Sequence, residues 1–125
     1  MHQSRRRIVV LSACLVSAVV AGLFVPSSGL RAQGNAREFT IAADQFAFSP
    51  QRLEVQKDDL VKITLTAHDI AHSFTIDNYR IAKRAAAGQT VTFEFRADQA
   101  GTHRFYCNLT QDARCRRMEG QLIVR

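Results

Sequence analysis

Two cysteines and a methionine near the end of the chain are the residues best suited to chemistry. Cys107 follows a stretch of alternating apolar and polar residues, and Cys115 and Met118 come within the polar loop after it. Thiolate and thioether sulphurs select copper, especially Cu(I), over hard cations. An imidazole donor, His72, lies 35 residues before Cys107. The sequence predicts that one copper ion binds to His72, Cys107, Cys115 and Met118.

The same two cysteines admit a second interpretation. Three arginines, Arg114, Arg116 and Arg117, flank Cys115, and their positive charges favour a thiolate. A thiolate binds metals, but it also forms disulfides, and ligands of one ion lie close enough together to meet at disulfide distance. Export to an oxidising compartment permits such a bridge. A copper site and a metal-free Cys107–Cys115 disulfide are therefore both open.

Residues 1–32 have the composition of an export signal. Arg5, Arg6 and Arg7 precede residues 8–25, which contain no charged side chain. A basic segment before an apolar one predicts a secretory leader, here similar to a twin-arginine signal, and Ala32 offers a cleavage site. The apolar run has 18 residues, close to the roughly 20 that span a bilayer, so an uncleaved anchor is the alternative. We expect a signal peptide over 1–32, a mature domain over 33–125, and a location in the bacterial periplasm or outside the cell.

The charge balance gives no indication of a nucleic-acid partner. The chain has 17 basic and 11 acidic residues. Four of the basic residues lie before residue 33, which leaves 13 basic against 11 acidic residues in the mature part. The sequence shows no basic patch interleaved with aromatic residues, so nucleic acid is not a predicted partner.

Alternating apolar and polar residues predict an all-β domain. The clearest strands surround Ile63 and Phe93, where the period is two. The stretch from Phe39 to Phe48 predicts an edge strand with its turn. About seven short strands at regular spacing predict a β-sandwich. Residues 81–87 are the exception: their composition alone favours a short helix, but Gly88 and the strand that follows it favour an irregular connection.

Four segments occur in an order that resembles the cupredoxin family. They are His72-Ser-Phe, Gly88-Gln-Thr, Gly101-Thr-His-Arg-Phe-Tyr-Cys107 and Met118-Glu-Gly120. The sequence is similar to the copper domain of subunit II of haem-copper oxidases and to small exported relatives of that domain. The resemblance implies a Greek-key β-sandwich, and it implies copper ligands at His72, Cys107 and Met118.

The metal loop departs from the family pattern. Mononuclear blue-copper members have a histidine between the cysteine and the methionine, and here Cys115 lies where that histidine is expected. Dinuclear members need a second cysteine four positions after the first, where this chain has Gln111. His68, four residues before His72, could supply the missing imidazole. His103 is predicted instead to be a core histidine with satisfied hydrogen bonds.

Three functions follow from these residues. The first is a copper electron carrier, and the second is a protein that holds or delivers Cu(I), because two thiolates and a thioether favour that oxidation state. The third is a metal-free interaction module closed by the disulfide. A redox or copper-exchange protein is the expected partner for the first two. The sequence shows no nucleophile with its base and no acid–base pair, so an enzyme is not predicted.

Overall fold

The computed structural model describes residue 22 and residues 34–125, and the second range forms nine strands. Their bounds are β1 Ala36–Asp44, β2 Ala47–Ser49, β3 Arg52–Val55, β4 Leu60–Ala67, β5 His72–Ile76, β6 Ile81–Ala85, β7 Thr90–Arg96, β8 Gly101–Tyr106 and β9 Glu119–Val124. Two single 3₁₀ turns cover Asp77–Tyr79 and Cys115–Arg117. The predicted leader over 1–32 lies outside the described residues, apart from Gly22. In the part of the chain that is described, no helix has the length and apolar character needed to cross a membrane.

The strands form two mixed sheets. The first sheet has the order β2-β1-β4-β7, and the second has the order β3-β9-β8-β5-β6. Two pairings are parallel, β1 with β4 and β3 with β9, and the other pairings are antiparallel. Buried residues from both sheets belong to one hydrophobic core. The predicted all-β sandwich is therefore confirmed, with nine strands rather than about seven.

The alternation of side chains explains how each sheet acquires its buried face. In β4, Val61, Ile63 and Leu65 are fully buried, while the residues between them are half-buried. Successive side chains of a strand point to opposite faces, so a period of two places these three apolar residues on the core side. The prediction made from this stretch is confirmed.

Three aromatic rings fix the part of the core beneath the two strands that carry the candidate ligands. Phe74 in β5 and Phe105 in β8 stack with their ring centroids 4.7 Å apart. Phe48 in β2 packs edge-on against Phe105 at 5.4 Å and against Phe74 at 6.0 Å. Each ring of the stacked pair lies two residues along its strand from a candidate ligand, His72 or Cys107. The packing of this trio therefore holds the ends of β5 and β8 in register.

Two predictions about individual elements are wrong. Residues 81–85 form strand β6 instead of a short helix or an irregular connection, because their backbone pairs antiparallel with β5, from His72 opposite Ala85 to Ile76 opposite Ile81. Pairing with a neighbouring strand outweighs the modest helix propensity of single residues. The stretch from Phe39 to Phe48 forms two strands instead of one edge strand, and its β1 part is not at the edge, since β1 lies between β2 and β4. The three-residue β2 is the edge of that sheet.

Candidate metal centre

Cys107 and Cys115 form a disulfide at one end of the sandwich. Cys107 directly follows β8, and Cys115 begins the second 3₁₀ turn; their Cα atoms are 5.3 Å apart. Both residues are buried. The backbone N–H of Cys107 donates to the carbonyl oxygen of Met118 at 3.2 Å, and the N–H of Met118 donates to that of Cys115 at 3.0 Å. The loop is thus closed by the disulfide and by its own backbone.

His72 opens strand β5, and its ring is completely buried. Its Nε2 lies 2.7 Å from Oδ1 of Asp69. A carboxylate oxygen accepts hydrogen bonds, so Nε2 carries the ring proton and Nδ1 keeps a lone pair. This Nδ1 atom has no hydrogen-bond partner among residues 34–125. A histidine with one nitrogen fixed by a carboxylate and a lone pair on the other has the arrangement of a metal ligand.

Asp69 fixes the tautomer of that ring. Besides His72, it accepts hydrogen bonds from the N–H groups of Gln45 and Ile70, each at 2.7 Å. Burial raises the pKa of Asp69, but these hydrogen bonds outweigh it and lower the pKa to about 2. The carboxylate is therefore ionised at neutral pH and remains an acceptor for Nε2.

Ser73 joins the histidine strand to the cysteine strand. Its backbone N–H donates to Sγ of Cys107 at 3.4 Å. Its hydroxyl donates to Oδ1 of Asn108 at 2.7 Å and accepts from the Asn108 N–H at 2.8 Å. An N–H directed at a sulphur stabilises that atom most when it carries negative charge. The contact therefore suits a Cys107 thiolate, and it places His72 next in sequence to a residue that touches the sulphur.

Met118 is the fourth predicted ligand, and it is also buried. It comes immediately before β9, and its backbone bonds to both cysteines as described above. The four predicted ligands thus belong to one end of the sandwich, with His72 contributed by β5 and the other three by the segment between β8 and β9.

The disulfide determines which of these donors is available. With both sulphurs bonded to each other, residues 34–125 contain no group of three or more His, Cys, Asp or Glu side chains arranged to hold a metal ion. The lone pair on Nδ1 of His72 suits a metal ion. The Ser73 N–H directed at Cys107 Sγ suits the thiolate that would bind such an ion. The donor set therefore fits copper only with the cysteines reduced, and the metal roles of the four residues stay predictions.

The two other histidines within residues 34–125 lie in different environments. His68 is exposed, and its backbone N–H donates to the carbonyl oxygen of Ala43. His103 is buried, with Nε2 donating to the carbonyl oxygen of Gln99 at 2.8 Å and Nδ1 accepting from Nδ2 of Asn78 at 2.9 Å. Both ring nitrogens of His103 are used, so the prediction of a satisfied core histidine is confirmed.

An open cleft of about 460 Å³ borders the histidine side of this end. Phe46 lines it, with its ring edge-on to His72 at 6.4 Å and the Arg114 guanidinium 4.2 Å from its centroid. Arg114 also pairs with Asp112 at 2.8 Å. Ile70, in the same cleft, is exposed. The cleft thus exposes the Asp69 side of the Asp69–His72 pair, while the His72 ring stays buried.

Sequence reasoning did not identify Asp69 or Asn108 as parts of the site, and it quoted Ser73 only within a motif. Asp69 lies three residues before His72, and a carboxylate so close to a candidate ligand was a signal that could have found it. Asn108 gave no comparable signal, because its role depends on the pairing of β5 with β8, which brings together residues 35 positions apart.

Two mixed sheets that bring a histidine and a cysteine together at one end define a sandwich of the cupredoxin type. The family model described as the cupredoxin-like domain matches residues 13–124. The chain belongs to this family.

One curated relative is the nitrous-oxide reductase of Stutzerimonas stutzeri, which is 30% identical over 82 residues. The match covers 62% of this chain and 13% of that protein. The nitrous-oxide reductase of Pseudomonas fluorescens is 28% identical over a segment of the same length. The chain thus spans only a small part of these relatives.

Solved structures confirm the fold. The periplasmic domain of subunit II of cytochrome oxidase from Bradyrhizobium japonicum has a TM-score of 0.63 at 13% identity, covering 71% of this chain and 83% of that one. Auracyanin A, a blue copper protein from Chloroflexus aurantiacus, has a TM-score of 0.61 at 18% identity, covering 73% and 100%. The metal-binding domain of the Cu(I)-exporting ATPase CopA from Streptococcus pneumoniae, solved with Cu(I), has a TM-score of 0.61 at 16% identity, covering 73% and 87%.

Proposed function

We propose that this protein is an exported cupredoxin-like protein that holds Cu(I) and passes it to a protein partner. One observation carries the proposal: the buried ring of His72 keeps a lone pair on Nδ1, which lacks a hydrogen-bond partner within the described range. An unpaired buried polar atom is costly, and a metal ion would satisfy it. Auracyanin A is a blue copper protein and the CopA domain was solved with Cu(I), and these two structural neighbours support the choice of metal.

The donor set favours copper that stays Cu(I) over copper that cycles between Cu(I) and Cu(II). Reduction of the disulfide provides two thiolates, and His72 and Met118 add an imidazole and a thioether. Such soft donors prefer Cu(I). Bound copper would supply one-electron redox chemistry, which this donor set disfavours. Storage and delivery are therefore preferred here over electron transfer, and no enzymatic activity is proposed.

A competition titration tests Cu(I) binding. The reduced mature protein is titrated without oxygen against a chromophoric Cu(I) chelator, and we expect one Cu(I) per chain. His72→Gln should weaken binding, whereas His68→Gln, a change at the exposed histidine nearby, should leave it unaltered. Failure of the reduced wild type to compete for Cu(I), or equal binding by the two variants, would overturn the proposal.

A metal-free interaction module is the second candidate, and the disulfide itself is the observation in its favour. In that case the exported protein keeps Cys107 and Cys115 bonded, and added Cu(I) changes neither the thiol count nor the amount of bound metal. Thiol labelling of the protein as isolated, followed by metal analysis, separates the two candidates.

The leader supports export, and its cleavage has a direct test. We propose that the mature chain begins near Gln33, after Ala32. Mass spectrometry of the exported protein should show that start. An intact leader on protein from the membrane fraction would instead identify residues 8–25 as an anchor.

A further inference from the structure

We propose that Cys107 and Cys115 form a redox gate, in which the dithiol holds Cu(I) and closure of the disulfide by an external disulfide donor releases it. The proposal rests on the function proposed above, and it adds the event that makes the metal leave. The same two sulphur atoms serve both states, so bond formation between them removes two of the four donors at once. His72 and Met118 remain, and one imidazole with one thioether is a much weaker site.

The part of the site contributed by the two paired strands is held independently of the disulfide. His72 is fixed by Asp69 and by the pairing of β5 with β6. Cys107 is fixed by β8 and by the contacts of Ser73 with its sulphur and with Asn108. Opening of the disulfide therefore leaves a histidine and a cysteine in place.

Cys115 has the looser support. Residues 108–114 contain no strand or helix, and the following 3₁₀ turn is a single one. The N–H groups of Cys115, Arg117 and Met118 make one turn bond each. Two sulphurs on one metal ion lie farther apart than two bonded sulphurs by roughly 2 Å. A shift of that size fits within this short turn, so we assign the movement to Cys115.

Charge near the loop stabilises both thiolates when the disulfide opens. Arg116 and Arg117 are exposed beside Cys115, and neither has an ion-pair partner in the range 34–125. The Ser73 N–H is already directed at Cys107 Sγ. In thiol–disulfide exchange a stabilised thiolate is the better leaving group. Either cysteine can therefore act as the leaving thiolate when an incoming thiolate opens the disulfide.

The release step is balanced by a small-molecule or protein disulfide. One cysteine thiolate attacks a sulphur of the donor, forms a mixed disulfide and expels one thiolate. The other cysteine attacks its neighbour in that mixed disulfide and expels the second thiolate. The chain has then lost two electrons, the donor has gained two, and copper leaves as Cu(I) with its oxidation state unchanged.

A two-stage experiment tests the gate. The reduced protein is first loaded with Cu(I) in the presence of the chromophoric chelator, and oxidised glutathione is then added without oxygen. We expect one Cu(I) to pass to the chelator for each pair of thiols lost, with a protein mass that fits an internal disulfide and no adduct. Cys115→Ser cannot close the internal disulfide, so any Cu(I) that it loses under the same conditions should accompany a glutathione adduct on Cys107.

The two stages separate failure of the gate from failure of the proposed function. Absence of Cu(I) binding in the first stage contradicts the proposed function. Closure of the disulfide with copper retained, or release of copper with both thiols still free, contradicts the gate alone. A metal-free dithiol that oxidised glutathione does not close also contradicts the gate, whatever the first stage shows.

Discussion

At the scale of single residues, the orientation of His72 is the feature from which the site is built. Its ring is buried, and one nitrogen is committed to a carboxylate that stays ionised at neutral pH. Such a partner fixes both the ring angle and the tautomer of a metal ligand. The sequence predicted His72 as a ligand through its place in the His72-Ser-Phe motif. It did not predict the role of Asp69, because the contact between the Asp69 carboxylate and His72 depends on the conformation of the loop before β5.

The first prediction concerns the carboxylate partner. Asp69→Asn should weaken Cu(I) binding by the reduced protein about 10- to 100-fold, because the amide no longer fixes the Nε2 proton. Competition against the chromophoric chelator measures the change. Asp112→Asn, which alters the other carboxylate of the same cleft, serves as the matched control and should bind like wild type. Equal affinity in the Asp69 and Asp112 variants would contradict the role given to Asp69.

The second prediction concerns the position of Cys115. Cys115→His provides two imidazoles, one thiolate and a thioether, which is the donor set of a blue-copper site. Addition of Cu(II) should therefore produce an intense visible thiolate-to-copper band that Cys107→Ser lacks. Seven residues separate the two cysteines, so the new imidazole must reach across a long loop. Absence of copper binding by a folded Cys115→His protein would show that the loop from Cys107 to Met118 does not correspond to the metal-binding loop of blue-copper proteins.

At the scale of elements, strands β8 and β9 fit together because one residue has no side chain. Phe105 in β8 lies opposite Gly120 in β9, and a Cβ atom on Gly120 would clash with the ring of Phe105 and with the backbone of Gln51. The strands predicted by local alternation, such as β4, were found. β6 was not, because its structure depends on pairing with β5 and is not encoded in its own composition.

The third prediction tests this close packing. Gly120→Ala should lower the free energy of unfolding by about 1–3 kcal/mol, since an added methyl group in a filled core forces its neighbours to move. Chemical denaturation measures the loss. Gly88→Ala, where an added Cβ meets nothing within 4 Å but the backbone has a positive φ, separates this steric effect from backbone strain. A Gly120→Ala protein as stable as wild type would mean that Phe105 has room to move.

The fourth prediction concerns the link from β8 to the first 3₁₀ turn. The Tyr106 hydroxyl donates to Oδ1 of Asp77 at 2.9 Å, and this hydrogen bond, together with burial and the carboxylate charge, raises the pKa of Tyr106. Ionisation would break the bond, so its contribution to stability is present below the ordinary tyrosine pKa and is lost as the pH rises through the raised value. In a Tyr79→Phe background, Asp77→Asn should lower the Tyr106 pKa measured by ultraviolet titration. An unchanged titration would show that the hydrogen bond is not formed in solution.

At the scale of the whole molecule, the two cysteines couple redox state to stability. They lie eight positions apart, and loop-closure entropy for a ring of that size is worth about 2.5 kcal/mol. The sequence showed both possible states of this pair and could not choose between them. That choice depends on the redox potential of the compartment and on the metal available there, which the residues alone do not determine.

The fifth prediction follows from that coupling. Reduction of the disulfide should lower the free energy of unfolding by about 2.5 kcal/mol, and Cu(I) should restore stability because it binds the folded chain preferentially. Thermal unfolding of the oxidised, reduced and copper-loaded forms measures all three. Cys107→Ser/Cys115→Ser should match the reduced form and show no response to Cu(I). A reduced wild type that Cu(I) fails to stabilise would contradict the coupling.

The parallel pairing of β3 with β9 also determines when the sandwich can be completed during synthesis. Sixty-three residues separate the end of β3 at Val55 from the start of β9 at Glu119. At about 5–20 residues per second, the ribosome needs roughly 3–13 s to make that segment. Throughout that interval the nascent β3 has no partner strand, and Leu53 and Val55 have no completed core to enter. The newborn chain therefore leaves these apolar side chains unburied for several seconds, and a route that exports folded proteins could accept it only after β9 is made.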